Sequence, residues 1–291
     1  MIWAAFTVFA AFMQSFRNAF QSSLSQHVTT SGVTLARFIW AGPLAGLYLL
    51  ALYQWQPVAI PTPSTSTFSY IIGAAIMQIL ATGLMVRIFK EKNYAIGVGL
   101  AKSEAIIAAV FGVWFFSTTL TPLGWIGVFL GGIAVFLLSS ATSLKHLSLS
   151  TVCYGVGSGA AFALTSLWVR EASLSLHLPF PYSAAWVLLA VISLQTCLLV
   201  GYLLLRDRHT LVALMAHSKL TIATSVASCL GSIGWFSAMS LESVPYVKTV
   251  GQIEVLFTLL ISFFWFNERL KRSDILGLAL IVIAAILVIW A

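Results

Sequence analysis

The sequence predicts an all-α integral membrane protein, with ten transmembrane helices arranged as two inverted five-helix repeats. Three observations predict it. Hydrophobic residues make up 60% of the 291 and charged ones 8%, against about 45–50% and about 25% in soluble domains. Apolar runs long enough to cross a bilayer, which takes about 20 residues, recur along the whole chain with only short polar connectors between them. Residues 104–116, EAIIAAVFGVWFF, are echoed 150 positions later by 254–266, EVLFTLLISFFWF, each a lone glutamate leading a greasy run.

Taken in order, the ten spans are expected at 2–22, 32–53, 68–89, 94–117, 122–141, 150–171, 182–205, 219–241, 245–267 and 273–291. The connector QPVAIPTPSTST, 56–67, is too rich in proline and hydroxyls to span. Pro245 is suited to the first turn of the ninth helix, and Ser273-Asp274 places a cap and an acid at the positive end of the tenth. The first span begins in apolar sequence, MIWAAFTVFAAF, without a basic leader, so a cleaved signal peptide is not expected. No connector is long enough to bury a core of its own. Spaced glycines (Gly42 with Gly46, Gly127 with Gly131, Gly155 with Gly159) predict close helix crossings and no function.

The 150-residue offset also pairs Phe116 with Phe266, Leu120 with Leu270, Gly127 with Gly277 and Phe12 with Phe162. It divides the chain into units 1–145 and 146–291. Five spans is an odd number, so the second unit enters the membrane from the opposite side. Inverted repeats of this kind suit alternating access around a site at mid-membrane.

Loop charge sets the expected orientation. The connectors after spans 3, 5, 7 and 9 carry Lys90, Lys92, Lys145, Arg206, Arg208, Arg269, Lys271 and Arg272, while those after spans 2, 4, 6 and 8 carry essentially none. The positive-inside rule makes the first set cytoplasmic and places both termini outside. The formal charge of +7 is thereby loop charge, and no nucleic-acid partner is expected. The expected location is a bacterial inner (plasma) membrane, as monomer or homodimer.

A charge near the bilayer centre is costly enough to mark a functional candidate. Glu104 is the eleventh residue of its span and Glu254 the tenth of its own. Either carboxylate can bind a cationic group, carry a coupling proton, or lock the scaffold by hydrogen bonding. Lys102 precedes Glu104 by two residues, about 200° around a continuous helix, so the two are expected on different faces. Lys102, Lys248 and Gln252 then form one surface and the glutamates another, with Lys102 the leading candidate for contact with a solute. Gln14, Arg17 and Asn18 make an unusually polar turn in the first span. Arg37 is placed near a span end, where it either joins that turn or snorkels, and Arg170 has the same two readings. Gln78, Trp235 and Tyr246 complete the candidate lining.

Cys153, Cys197 and Cys229 lie in apolar segments without disulfide or zinc spacing, and the five histidines fall in or beside connectors. No metal or cofactor is expected, and no phosphate loop or nucleophile elbow supports an enzyme or an ATP-driven pump.

The run Phe266-Asn267-Glu268-Arg269-Leu270 followed by Gly277 resembles the F-x-E-R-L … G pattern of the EamA-like, ten-helix members of the drug/metabolite transporter superfamily. Glu254 sits where that family often has an acid followed by proline. The chain departs from the pattern in two ways: in the first unit Ser117-Thr118-Thr119 replaces the Glu-Arg pair, and in the two units Ala105 and Val255 replace the prolines. The family is usually drawn with cytoplasmic termini, the reverse of what these loop charges give. The resemblance implies a secondary transporter. The excess of Arg17, Arg37, Lys102 and Lys248 over the two glutamates favours a small anionic or zwitterionic metabolite, an amino acid or organic acid, as its solute. Efflux of cationic compounds through the glutamates, or a non-transporting scaffold, are the alternatives.

Overall fold

Pro245 stands in the first turn of an observed helix, Val244–Val250, as expected, while the helix expected to open at Ser273-Asp274 begins earlier, at Arg272. In the computed structural model, residues 1–90, 100–140, 149–266 and 272–291 are described, of which 139–140, 261–266 and 272–274 only through their backbone. Helix α1 runs Ile2–Leu24. Thr29 Oγ1 accepts from the Gly32 amide and opens α2, Thr30–Ala36. After a turn come α3, Ala41–Trp55, and α4, Thr65–Lys90, whose start is held by Ser64 Oγ accepting from the Thr67 amide. Helix α5 is Glu104–Phe115. Helix α6, Pro122–Ser140, has the proline in its first turn, and Thr121 Oγ1 accepts from Gly124 N. The second half continues with α7, Leu149–Ser175, and α8, Tyr182–Arg206. A short α9, Arg208–Ala216, is capped by Asp207, and α10 spans Ser218–Leu241. The chain ends with α11, Val244–Val250, a 3₁₀ turn Gly251–Ile253, α12, Glu254–Phe266, and α13, Arg272–Ile289.

Among the described residues the fold is entirely helical. Five stretches are long and apolar enough to cross a membrane: Thr30–Trp55 taken through its turn, α4, α7, α8 and α10, with shorter apolar helices beside them. Burial is inverted relative to a water-soluble protein. Trp114, Phe115 and Leu205 lie on the outside, while Gln21, Gln195, Gln252 and Glu254 are fully enclosed. Large apolar side chains facing outward together with polar ones facing inward identify lipid as the solvent. The chain is an integral membrane protein.

Helix α4 lies along α7, α1 along α10, and α6 along α13; α5 packs on α7 and α11, and α3 on α8. Small residues make the closest crossings possible, and the α4 face is lined by Ala74, Ala75 and Ala81.

The expected spans 94–117 and 245–267 do not form continuous helices. The first breaks at a turn over Lys102 and Ser103, and the second at the 3₁₀ turn after Val250. Broken helices at membrane depth are tolerated where the freed backbone faces protein or a cavity. The span 32–53 is likewise interrupted at Arg37–Trp40. Helix α9 is an addition, since residues 208–216 were expected to form a connector. Gly42 and Gly46 were expected to mark a tight crossing, yet their nearest neighbours across it stand 3.9 and 4.0 Å from an added Cβ, ordinary contact distances. Cys229 alone of the cysteines is packed inside; Cys153 and Cys197 are exposed. The F-x-E-R-L run at 266–270 lies outside the described side chains, as do Lys92, Lys145 and His146.

Arg170 neither snorkels nor reaches the polar interior. Its Nη1 donates to the carbonyls of Met239 at 2.7 Å and Glu242 at 2.5 Å, tying α7 to the last turn of α10. The Met239 carbonyl, in the last turn of α10, has no partner within that helix, and Glu242 is the residue just past its end. Arg170→Met is therefore expected to destabilise the protein by about 1.5–3 kcal/mol, measurable by thermal denaturation in detergent. An unchanged melting temperature would show that this cap is dispensable.

Candidate functional site

Both glutamates begin a helix. Glu104 is the first residue of α5 and Glu254 the first of α12, so each carboxylate sits at the positive end of a helix dipole. Lys248 lies in the last turn of α11, the negative end of the preceding piece. The breaks thus create the places that favour these charges. They also reset the helical phase. A turn at Lys102–Ser103 lets Lys102 and Glu104 line one cavity, against the expectation of different faces, which assumed an unbroken helix.

Two ion pairs cross between the halves of the chain. Lys102 Nζ donates to Glu254 Oε2 in direct contact, with 5% and 0% of the side chains exposed. Lys248 Nζ stands 3.5 Å from Glu104 Oε2. The expected shared surface of Lys102, Lys248 and Gln252 is therefore replaced by lysine–glutamate pairing. The Glu254 carboxylate also accepts from Gln14 Nε2 at 2.5 Å and Asn18 Nδ2 at 2.7 Å. Asn18 Oδ1 accepts in turn from Arg17, 2.8 Å from Nη2. Gln14 Oε1 accepts from the Trp235 indole at 2.8 Å, and the Lys248 ammonium lies 4.3 Å from the Trp235 ring centroid. One network therefore connects the two ion pairs through Gln14 and Trp235. In a medium this poor in water, such a network rigidifies its members when every one is satisfied.

These groups surround a cavity of about 40 Å³ open to water-sized occupants. A water needs about 10–15 Å³ by that measure, so the space holds a few waters and excludes a metabolite. Arg17 and Arg37 are 2% and 3% exposed and line it, so neither snorkels. Arg37 follows α2 directly, where the chain turns into α3. Gln78, on α4, also lines the cavity, its Oε1 accepting from Gln195 Nε2 at 2.7 Å.

Two sequence candidates lie elsewhere. Gln252 is fully buried beside Gly131, and its amide has no hydrogen-bond partner; nothing in its surroundings explains this. The Tyr246 hydroxyl accepts from the Thr121 amide at 3.1 Å, at the start of α6. Sequence reasoning missed Phe162, Ser166, Ser232 and Met239, which line the cavity from α7 and α10. Hydroxyl and apolar residues of this kind are common at any membrane helix crossing, so their types carried no distinguishing signal.

Residues 149–290 match the model of the EamA-like transporter family, consistent with the drug/metabolite transporter superfamily. No curated protein matches the chain. Among the solved structures that match, the crystal structure of one protein covers 99% of this chain and 97% of its own, with a TM-score of 0.68 at 16% identity. At that identity the likeness is one of fold.

Proposed function

We propose that this chain, EamA-like over residues 149–290, is a secondary transporter. It moves a small anionic or zwitterionic solute of amino-acid or organic-acid type by alternating access of two inverted five-helix units, 1–145 and 146–291. The observation that carries the reading is the cavity where Arg17, Arg37, Lys102 and Lys248 stand against Glu104 and Glu254. Such a collection is expensive inside a membrane protein unless it serves an ion or solute path. The helix pairings support the repeat. Exchanging the halves turns α4 on α7 into α10 on α1, and leaves α6 on α13 and α3 on α8 in place. Each lysine pairs with the glutamate of the other half, so the ion pairs are latches between the units. With both latches closed the cavity is too small for a metabolite, as befits a closed state between the two open ones. Cations meet glutamates already occupied by lysines, which disfavours cationic efflux.

The test is a panel of acids, zwitterions and lipophilic cations offered to the purified protein, with melting temperature and proteoliposome uptake as readouts. A solute at a hundred times its Kd stabilises the folded state by about 2.7 kcal/mol. Stabilisation and uptake are expected with an acid or a zwitterion; a response to cations alone would overturn the solute class.

A further inference from the structure

Among the cavity cations, Arg37 is held differently from the two lysines. Lys102 and Lys248 each face a carboxylate. Among the described residues, no carboxylate lies within ion-pair distance of Arg37. One guanidinium nitrogen, Nη1, donates to Thr82 Oγ1 at 2.7 Å, while Nε has no hydrogen-bond partner. The rings of Phe38 and Phe162 lie 5.3 and 5.6 Å from the guanidinium carbon. A guanidinium cannot shed its charge by deprotonation, and a buried charge without a counter-ion is strongly unfavourable. Aromatic rings attract the cation through their faces but accept none of its N–H bonds well. The Nε donor is therefore buried without an acceptor, and a planar oxyanion is the partner a guanidinium binds in fork geometry.

We propose that Arg37 is the anion-anchoring residue of the cavity, receiving the carboxylate of the transported solute while Lys102 and Lys248 act as latches paired to glutamates. This rests on the transporter reading above and adds to it the group that recognises the solute's acid. Thr82 fixes one side of the guanidinium, so the carboxylate approaches from the Nε side. Phe162 beside it and Met85 and Met239 elsewhere in the wall are apolar, so the recognised part of the solute is its acid and the body it carries is uncharged near them.

The probes are acid and amide pairs, L-leucine with L-leucinamide and succinate with succinamide, plus inorganic phosphate. Binding is read on the full-length protein in detergent by thermal shift and calorimetry. Wild type is expected to bind at least one acid and to bind its amide at least tenfold more weakly. Arg37→Gln is expected to lose at least tenfold in affinity for the acid, and Arg37→Lys to lose less. Size-exclusion chromatography checks that the variants fold; if Arg37→Gln does not, Arg37→Lys decides, an affinity loss of threefold or more supporting the anchor. Acid binding unchanged in the folded variant overturns this inference and leaves the transporter reading standing. Binding of phosphate alone, even if lost in Arg37→Gln, overturns the carboxylate assignment. A wild type that binds none of the acids overturns the inference and the solute class together.

Discussion

On the proposed transport function, Lys102→Met is expected to abolish uptake in proteoliposomes and to cost the folded protein about 3–5 kcal/mol, the usual result of removing one partner of a buried ion pair. The cost arises on the side that remains. Glu254 is fully enclosed, and among the described residues its carboxylate keeps Gln14 and Asn18 as donors once the ammonium is gone. Adding Glu254→Gln to the same chain removes the stranded charge, so the double variant melts closer to wild type. On the proposed function, uptake is expected to stay lost, because the ion pair between Lys102 and Glu254 is gone. Thermal denaturation and solute uptake on the two variants separate stability from function. Lys248→Met is the milder change, since Lys248 stands 3.5 Å from Glu104 and also rests on Trp235. A Lys102→Met protein that melts and transports like wild type would reduce the pair to a bystander.

That asymmetry was beyond the reach of the sequence, which presents Glu104 and Glu254 as equivalent members of a repeat. What the sequence did reveal was the solvent and the dangerous residues. An acid or a base within an apolar run is conspicuous by cost alone, which is how Arg17, Lys102, Glu104, Lys248 and Glu254 could be named before any coordinates. Their partnerships were illegible because angular arithmetic presumes an unbroken helix. The interruption at Lys102–Ser103 carries neither proline nor glycine, and the one before Glu254 carries only Gly251. Neither is the punctuation that usually announces a break. Arg37 suffered the same way: expected at a span end, it sits at a third unannounced turn, where the backbone leaves α2 and turns the guanidinium inward. Tyr246 shows the converse error. An aromatic with a polar tip near a polar helix makes a reasonable lining residue, but its hydroxyl was needed by the exposed amide at the start of α6.

Gly159→Ala tests whether the break at Lys102 is held in place from outside. Helix α7 passes so close to this turn that a Cβ at Gly159 would clash with Ser103 Oγ and lie 3.0 Å from the Ala101 carbonyl and 3.2 Å from the Glu104 amide. A serine hydroxyl can rotate away, but the two backbone atoms cannot move without carrying Lys102 and Glu104 with them. Overpacking of this sort costs about 1–3 kcal/mol. If about 1.4 kcal/mol of it falls on the geometry that binds solute, affinity drops tenfold. Gly159→Ala is thus expected to lower the melting temperature and to weaken solute binding together. Gly46→Ala is the control, for an added methyl there meets nothing closer than Leu189 Cδ1 at 4.0 Å. Relieved of a helix-interior glycine, that variant should gain up to about 0.5–1 kcal/mol and bind as wild type. Both glycines belong to small-residue spacings that look the same in sequence. Equal behaviour of the two variants would mean that α7 does not buttress the turn, and that the placement of Lys102 and Glu104 is fixed by the ion pairs alone.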